Sequence, residues 1–169
     1  MQFTDGPIDG VVLTDFRTFK DSRGWLAEIF RHDELPEWFR PAMSYVSLTL
    51  PGVLRGPHEH VDQADLFCWV GPGDFLLSLW DNRADSPTSL TRVEIVFGAS
   101  RPGSALVPKG VVHCYRCIST ESGLVVNCPD RLFMGTGKKE PIDEIRHEDD
   151  PANPFVMDQE ARWAARQEG

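Results

Sequence analysis

A chain of 169 residues with 41% apolar content and a formal net charge of −9 is long enough for one domain with its own core, and no compositional shift asks for a second. The 26 acidic against 17 basic residues, with no basic stripe, exclude a phosphate-backbone partner such as nucleic acid. No uncharged stretch approaches the roughly 20 apolar residues that cross a bilayer, and residues 1–6 have neither a basic flank nor an apolar run, so the expectation is a soluble, cytoplasmic protein with no membrane partner.

Runs rich in branched and aromatic residues predict strands over residues 11–19, 25–30, 45–50, 64–70, 75–80, 90–97, 105–107, 111–118 and 124–128. The breaks carry Asp21-Ser22-Arg23-Gly24, Pro51-Gly52, Gly71-Pro72-Gly73, Arg101-Pro102-Gly103 and Pro108-Lys109-Gly110, where glycine and proline suit tight turns. Helical signal is sparse. Residues 33–39 fit one or two turns, and residues 157–167 read as a polar terminal helix with Asp158 as N-cap. Residues 138–154 are charged, end in Asp149-Asp150-Pro151 and read as a solvated loop. Nine or more short strands predict an all-β sandwich or barrel with short peripheral helices, a single domain over 1–169 with its core in about 7–157.

The four cysteines, Cys68, Cys114, Cys117 and Cys128, have no framework spacing, so reduced thiols are expected. His113-Cys114-Tyr115-Arg116-Cys117 contains a lone CxxC with no second pair to complete four zinc ligands, and it reads as core thiols on a strand.

Chemistry concentrates in Leu54-Arg55-Gly56-Pro57-His58-Glu59-His60, followed by Asp65 and, far downstream, by Pro108-Lys109-Gly110-Val111-Val112-His113. Two histidines at i and i+2 on a strand share a face, because side chains alternate with period two. His58, His60, Asp65 and His113 resemble, in type and order, the donor set of metal-binding cupins, whose imidazoles and carboxylate meet about 2.0–2.2 Å from a divalent ion. Zinc, iron, manganese and nickel are not distinguished by this set. Asp65, Phe67 and Trp69 share a face, so an inward Asp65 brings two aromatics into the same pocket. The alternative is that His58 and His60 flank Glu59 at a strand end, in solvent or satisfied by hydrogen bonds, with Asp65 capping a turn.

Pro7-Ile8-Asp9-Gly10-Val11, Asp21-Ser22-Arg23-Gly24-Trp25 with Glu28, Gly52 to His58, Ser86-Pro87-Thr88, Val107-Pro108-Lys109-Gly110 with His113, and Asp149-Asp150-Pro151 are similar to motifs of the dTDP-4-dehydrorhamnose 3,5-epimerase family. The resemblance runs from about residue 7 to residue 157. It implies a homodimeric cupin jelly roll (a double-stranded β-helix) acting on a nucleotide-linked 4-keto sugar, with His58 as the base. Asp65 and His113 join His58 as candidate catalytic residues. Arg55 matches the arginine that holds the diphosphate, and Arg23 and Glu28 match residues near the nucleotide.

The departures fall in the pocket. The family's acid tyrosine falls on Arg131, which is read instead as substrate-binding, because a guanidinium with a pKa above about 12 is no proton donor near neutrality. The family's lysine falls on Asp65, its glutamine two after the base on His60, and its upstream Gln and Asn on Met43 and Tyr45; its distal Asp has no clear counterpart. The changes at His60 and Asp65 turn an epimerase pocket into a metal-type one, so the first expectation is an epimerase or isomerase assisted by one divalent ion. A metal-dependent oxygenase or lyase and a non-catalytic sugar-nucleotide binder stand beside it.

Overall fold

The computed structural model describes residues 1–157, so the terminal helix expected over 157–167 lies, Met157 apart, outside the described residues. The strands are β1 Thr4–Asp5, β2 Val12–Asp15, β3 Thr18–Asp21, β4 Gly24–Ala27, β5 Tyr45–Thr49, β6 Leu54–Glu59 and β7 Asp65–Trp69. They continue with β8 Asp74–Asp81, β9 Thr91–Gly98, β10 Gly103–Val107, β11 Val111–Cys117, β12 Gly123–Asn127 and β13 Ile145–Arg146. Two sheets result, six-stranded in the order β1-β9-β8-β11-β6-β13 and five-stranded in the order β2-β10-β7-β12-β5, with β3 and β4 apart as a hairpin. The fold is an all-β jelly roll.

Alternation explains what lies inside. Phe67 and Trp69 of β7, Phe75 and Leu77 of β8, Tyr115 of β11 and Val125 of β12 meet between the sheets, and Trp69 stacks on Phe97 at 5.6 Å between ring centroids. The strands β7 and β10 are buried at every position, which is why their sequences do not alternate in polarity. Their outward residues Leu66, Cys68 and Leu106 are covered by Phe16, Ile29, Leu35 and Phe39. On the back of the other sheet, Trp80, Val112 and Cys114 are covered by Phe3, Phe155 and Met157. Each fully buried large apolar side chain contributes about 1.5–3 kcal/mol relative to exposure. The CxxC thiols are free and buried, Cys114 in that outer cluster and Cys117 in the inner core, as a three-residue offset on a strand requires.

Several elements differ from expectation. The single strand predicted over 11–19 is two, because the chain leaves the sheet after Asp15, ties Phe16 N–H to the Pro102 carbonyl at 2.8 Å and pairs β3 with β4. Residues 33–39 form hydrogen-bonded turns instead of helix, since Pro36 lacks an N–H and disfavours helical backbone at Leu35. Among the described residues the only helical element is the 3-10 turn His147–Asp149. The strands β1 and β13, two residues each, carry too short a signal to be read.

At the end of β8 the fully buried Asp81 carboxylate accepts from Arg83 Nε at 2.8 Å, Ser86 Oγ at 2.5 Å and Thr88 Oγ1 at 2.6 Å. Burial alone would raise its pKa, but these donors outweigh it and pull the value down to about 2. A depressed carboxyl pKa contributes stability above the unfolded value of about 4, and the contribution is lost as pH falls towards 2. Asp81→Ala is expected to cost about 2–3 kcal/mol by urea unfolding at pH 7, with the difference from the parent shrinking below pH 4. An equal difference at both pH values would contradict this account.

Candidate active site

The strands β6 and β11 run antiparallel with His58 directly opposite His113, and their rings meet edge to face at 4.5 Å between centroids. Gly56 keeps this corner tight. It adopts φ +82°, and a Cβ there would lie 2.6 Å from the His113 carbonyl oxygen and 3.1 Å from His58 Nδ1, so no other residue fits without strain. The pairing register also shifts between His113 and Tyr115, a local irregularity that accompanies this approach. His60 lies just past β6, where its carbonyl accepts from Gly110 N–H at 2.8 Å. Asp65 opens β7 on the opposing sheet and is 1% exposed.

These four side chains converge. His60 Nε2 donates to Asp65 Oδ2 at 3.0 Å, and His113 Nε2 lies 3.7 Å from the same oxygen. One ligand nitrogen from each of His58, His60 and His113 lies within 4.8 Å of the others. The other Asp65 oxygen accepts from Asn127 Nδ2 at 2.8 Å and Gln63 Nε2 at 3.0 Å. Glu59, between the two histidines, points the other way and is held by Asn82 and His147 at 3.0 Å each. Of the alternative reading, histidines in solvent and an Asp65 that caps a turn do not agree with this burial, whereas satisfaction by hydrogen bonds describes His60, bonded to Asp65 and Asp143.

Residues 138–154 are mostly exposed, as expected of a solvated loop, but Asp143, Glu144, His147 and Glu148 turn to the site or its surroundings. The Asp143 carboxylate accepts from the N–H groups of Val61, Asp62 and Gln63 at 2.8–2.9 Å, and the Asp143 carbonyl accepts from His60 Nδ1. Glu144 and Glu148 each place a carboxylate oxygen 3.9 Å from His58 Nδ1. Downstream, Phe155 is buried against Trp80. Charge in the sequence signalled solvent, which holds for most of the segment, while Asp143, Glu144, His147 and Glu148 are half-buried exceptions.

The three imidazoles differ in protonation. Burial first, and then the positive charge of His60, lowers the His58 pKa to about 4. Burial, followed by the charge of His58, lowers that of His113 to about 3. Burial would also lower His60, but the hydrogen bond and charge of Asp65, with the Asp143 carbonyl, reverse this and raise it to about 9. At neutral pH the cluster therefore pairs one cation, His60, with the Asp65 anion beside two neutral rings. His113 donates from Nδ1 to the Val111 carbonyl at 3.1 Å, so its Nε2 carries the lone pair and has no hydrogen-bond partner among the described residues.

Above the cluster a cavity of about 1610 Å³ is lined by Tyr45, Ser47, Arg55, Tyr115, Arg131 and the Met134 to Glu144 segment among others. That exceeds the 300–1,000 Å³ typical of small-ligand pockets. Arg55 donates from Nε to Thr49 Oγ1 and from an Nη to the Leu48 carbonyl, both at 2.9 Å. Arg131 donates from Nε to the Asp62 carbonyl at 3.0 Å. Arg23 and Glu28 are not brought to this cavity: Arg23 sits on the β3–β4 turn, 88% exposed and bound to Asp21, and Glu28 lies 3.7 Å from Arg31. The residues that sequence reading missed are Asn127, Gln63, Asp143, Glu144 and Glu148, together with the inward direction of Tyr45 and Tyr115. Only Asn127, in phase with the inward Val125 two positions before it, carried a usable signal.

A jelly roll with histidines and a carboxylate clustered between its sheets is a cupin. The sequence model of the dTDP-4-dehydrorhamnose 3,5-epimerase family matches residues 5–142. The chain is 35% identical over 128 residues, 75% of its length and 81% of the relative's, to a probable low-salt glycan biosynthesis epimerase, Agl13, of Haloferax volcanii. It is 39% identical over 113 residues, 66% of its length and 72% of the relative's, to the spore coat polysaccharide biosynthesis protein SpsL of Bacillus subtilis. A crystal structure of a dTDP sugar isomerase from Desulfovibrio desulfuricans has the same fold, with a TM-score of 0.74 and 24% identity, covering 88% of this chain and 91% of that one. The chain belongs to the dTDP-4-dehydrorhamnose 3,5-epimerase family and is an enzyme of that isomerase type. Among the described residues no helix is long and apolar enough to cross a membrane.

Proposed function

We propose that the enzyme epimerises a nucleotide-linked 4-keto sugar at a carbon beside the ketone, with His58 as the base. The observation that carries this reading is the His58 ring on the cavity wall, neutral at pH 7, with the Glu144 and Glu148 carboxylates 3.9 Å behind it. A C–H next to a carbonyl is acidified by enolate formation, and a neutral imidazole can take that proton. The two carboxylates stabilise the imidazolium as it forms, and the His60 cation, 5.8 Å away between ring centroids, lowers the energy of the enolate. Incubation with a dTDP-4-keto-6-deoxy sugar in D2O tests the reading. Deuterium entering the carbon beside the ketone is the expected result, and none entering would end it.

Arg55 is committed on one edge to Thr49 and Leu48, which presents the rest of its guanidinium to a diphosphate. Arg55→Ala is expected to raise KM about 10- to 100-fold with kcat within a few-fold, read by steady-state kinetics. Arg131, which also lines the cavity, is the second candidate for the substrate's charge.

A second reading has one specific observation in its favour, the buried, unpartnered Nε2 of His113. His58, His60 and His113 offer three nitrogens within 4.8 Å of one another, and Asp65 Oδ2 lies 3.0 and 3.7 Å from the Nε2 atoms of His60 and His113, against about 3.4 Å between neighbouring ligands of a four-coordinate first-row metal. There the ion would polarise the ketone and His58 would be a ligand rather than a base. Elemental analysis of protein purified without chelator tests it: about one equivalent, lost in His113→Ala, supports the ion, and full turnover by metal-free protein eliminates it.

Assembly as a homodimer is part of the proposal. The strand β5 is an edge strand whose outward Val46 and Leu48 are 62% and 55% exposed, a stripe that a second copy would cover. Val46→Lys with Leu48→Lys is expected to halve the mass measured by light scattering. An unchanged dimer mass would place the interface elsewhere.

A further inference from the structure

An epimerase needs a proton donor on the face of the sugar opposite the base, and Arg131 cannot supply one. Tyr45 and Tyr115 are the only tyrosines of the chain, and both line the cavity. The alternate residues Tyr45, Ser47 and Thr49 of β5 face inward, bonded respectively to Asn127, Tyr115 and Arg55. The strand β5 belongs to the five-stranded sheet and β6, with His58, to the six-stranded one. A ring bound between the sheets therefore has His58 on one wall and Tyr45 on the other.

The two tyrosines are not equivalent. Tyr115 is 5% exposed, packs on Phe67, Trp69 and Phe75, and has its hydroxyl 3.3 Å from Ser47 Oγ, so it meets the cavity only from within the core. Tyr45 is 44% exposed and within reach of a ligand. Its hydroxyl oxygen accepts from Asn127 Nδ2 at 2.9 Å, which leaves the hydroxyl hydrogen free to turn into the cavity. The same Asn127 amide also donates to Asp65 at 2.8 Å, so its orientation is fixed by the histidine cluster. Pairing of Tyr45 with Asn127 across β5 and β12, and the Ala42 N–H to Pro129 carbonyl bond at 2.8 Å, set this hydroxyl beside the start of the segment that carries Arg131.

We propose that Tyr45 is the catalytic acid of this enzyme, donating its hydroxyl proton to the enolate carbon on the face opposite His58. The inference rests on the epimerase reading above. His58 takes the C–H proton and the electron pair moves to the ketone oxygen as an enolate. The carbonyl then re-forms as the carbon takes the Tyr45 proton, inverting that centre. Tyrosinate and imidazolium remain, and proton exchange with water returns both to their starting states, so no co-reactant is consumed. Burial, against the opposing pull of the Asn127 bond, raises the Tyr45 pKa to about 12, which keeps the donor loaded between turnovers. The Asn127 N–H stabilises the tyrosinate when it forms.

The test is Tyr45→Phe in the full chain, with a dTDP-4-keto-6-deoxy sugar in D2O followed by NMR and the fold checked by circular dichroism. Deuterium exchange at the carbon beside the ketone is expected to persist within a few-fold, while epimerised product falls about 100-fold or more. Unchanged product formation would overturn the assignment. So would loss of exchange and product together in a folded variant, which marks a binding role. Failure of the parent enzyme to exchange at all would instead defeat the epimerase reading and this inference with it.

Discussion

His58→Ala is expected to lower epimerisation about 1,000-fold or more and to stop deuterium exchange, because general base catalysis contributes roughly 100- to 10,000-fold and the Glu144 and Glu148 carboxylates stand behind the ring, 3.9 Å from its Nδ1, instead of in its place. His113 is fully enclosed and His60 is already protonated against Asp65, so neither takes over. The fold should survive, since the His58 Nδ1 makes no hydrogen bond and only approaches Glu144 and Glu148 at 3.9 Å. Exchange that continued at the parent rate would remove His58 from the mechanism. In the metal reading the same variant loses bound ion as well as turnover, so metal content measured alongside separates a base from a ligand.

Asp65→Ala carries the largest expected stability cost. The carboxylate is 1% exposed and gathers His60, Asn127 and Gln63, with His113 3.7 Å away. Burial raises its pKa, but the His60 hydrogen bond and the surrounding imidazoles and amide outweigh that and hold it below the usual carboxylate range. Removing it strands a buried cation and two amide donors, a loss of about 3–5 kcal/mol. For a domain of this size that lowers Tm by roughly 6–20 °C, measurable by calorimetry. Asp65→Asn, which keeps the shape and one acceptor, should cost less. A change of under 1 °C for Asp65→Ala would show that the charge pair is not what orders the cluster.

The all-β class was legible because turn chemistry and strand-length apolar runs are local properties, and the runs over 45–50, 64–70, 75–80 and 124–128 correspond to β5, β7, β8 and β12. The sequence order of His58, His60, Asp65 and His113 was legible because period-two geometry aims i and i+2 together. The functions of Asp143, Glu144 and Glu148 were not. They lie 80 or more residues from the groups they meet, on a segment whose charge reads as a solvated surface. Arg23 and Glu28 illustrate the reverse: motifs named them, yet the β3–β4 hairpin carries Arg23 away from its own chain's cavity.

By itself the sequence determined the strand content, the absence of a disulfide framework and the donor types, since each follows from residue identity and local spacing. Only the tertiary structure decided which sheet each group stands on and how deeply it is buried. That placement sets the charges, making His60 a cation while His58 and His113 stay neutral. It also turns Tyr45 towards the cavity from the wall opposite His58, because protonation and facing depend on neighbours that are distant along the chain.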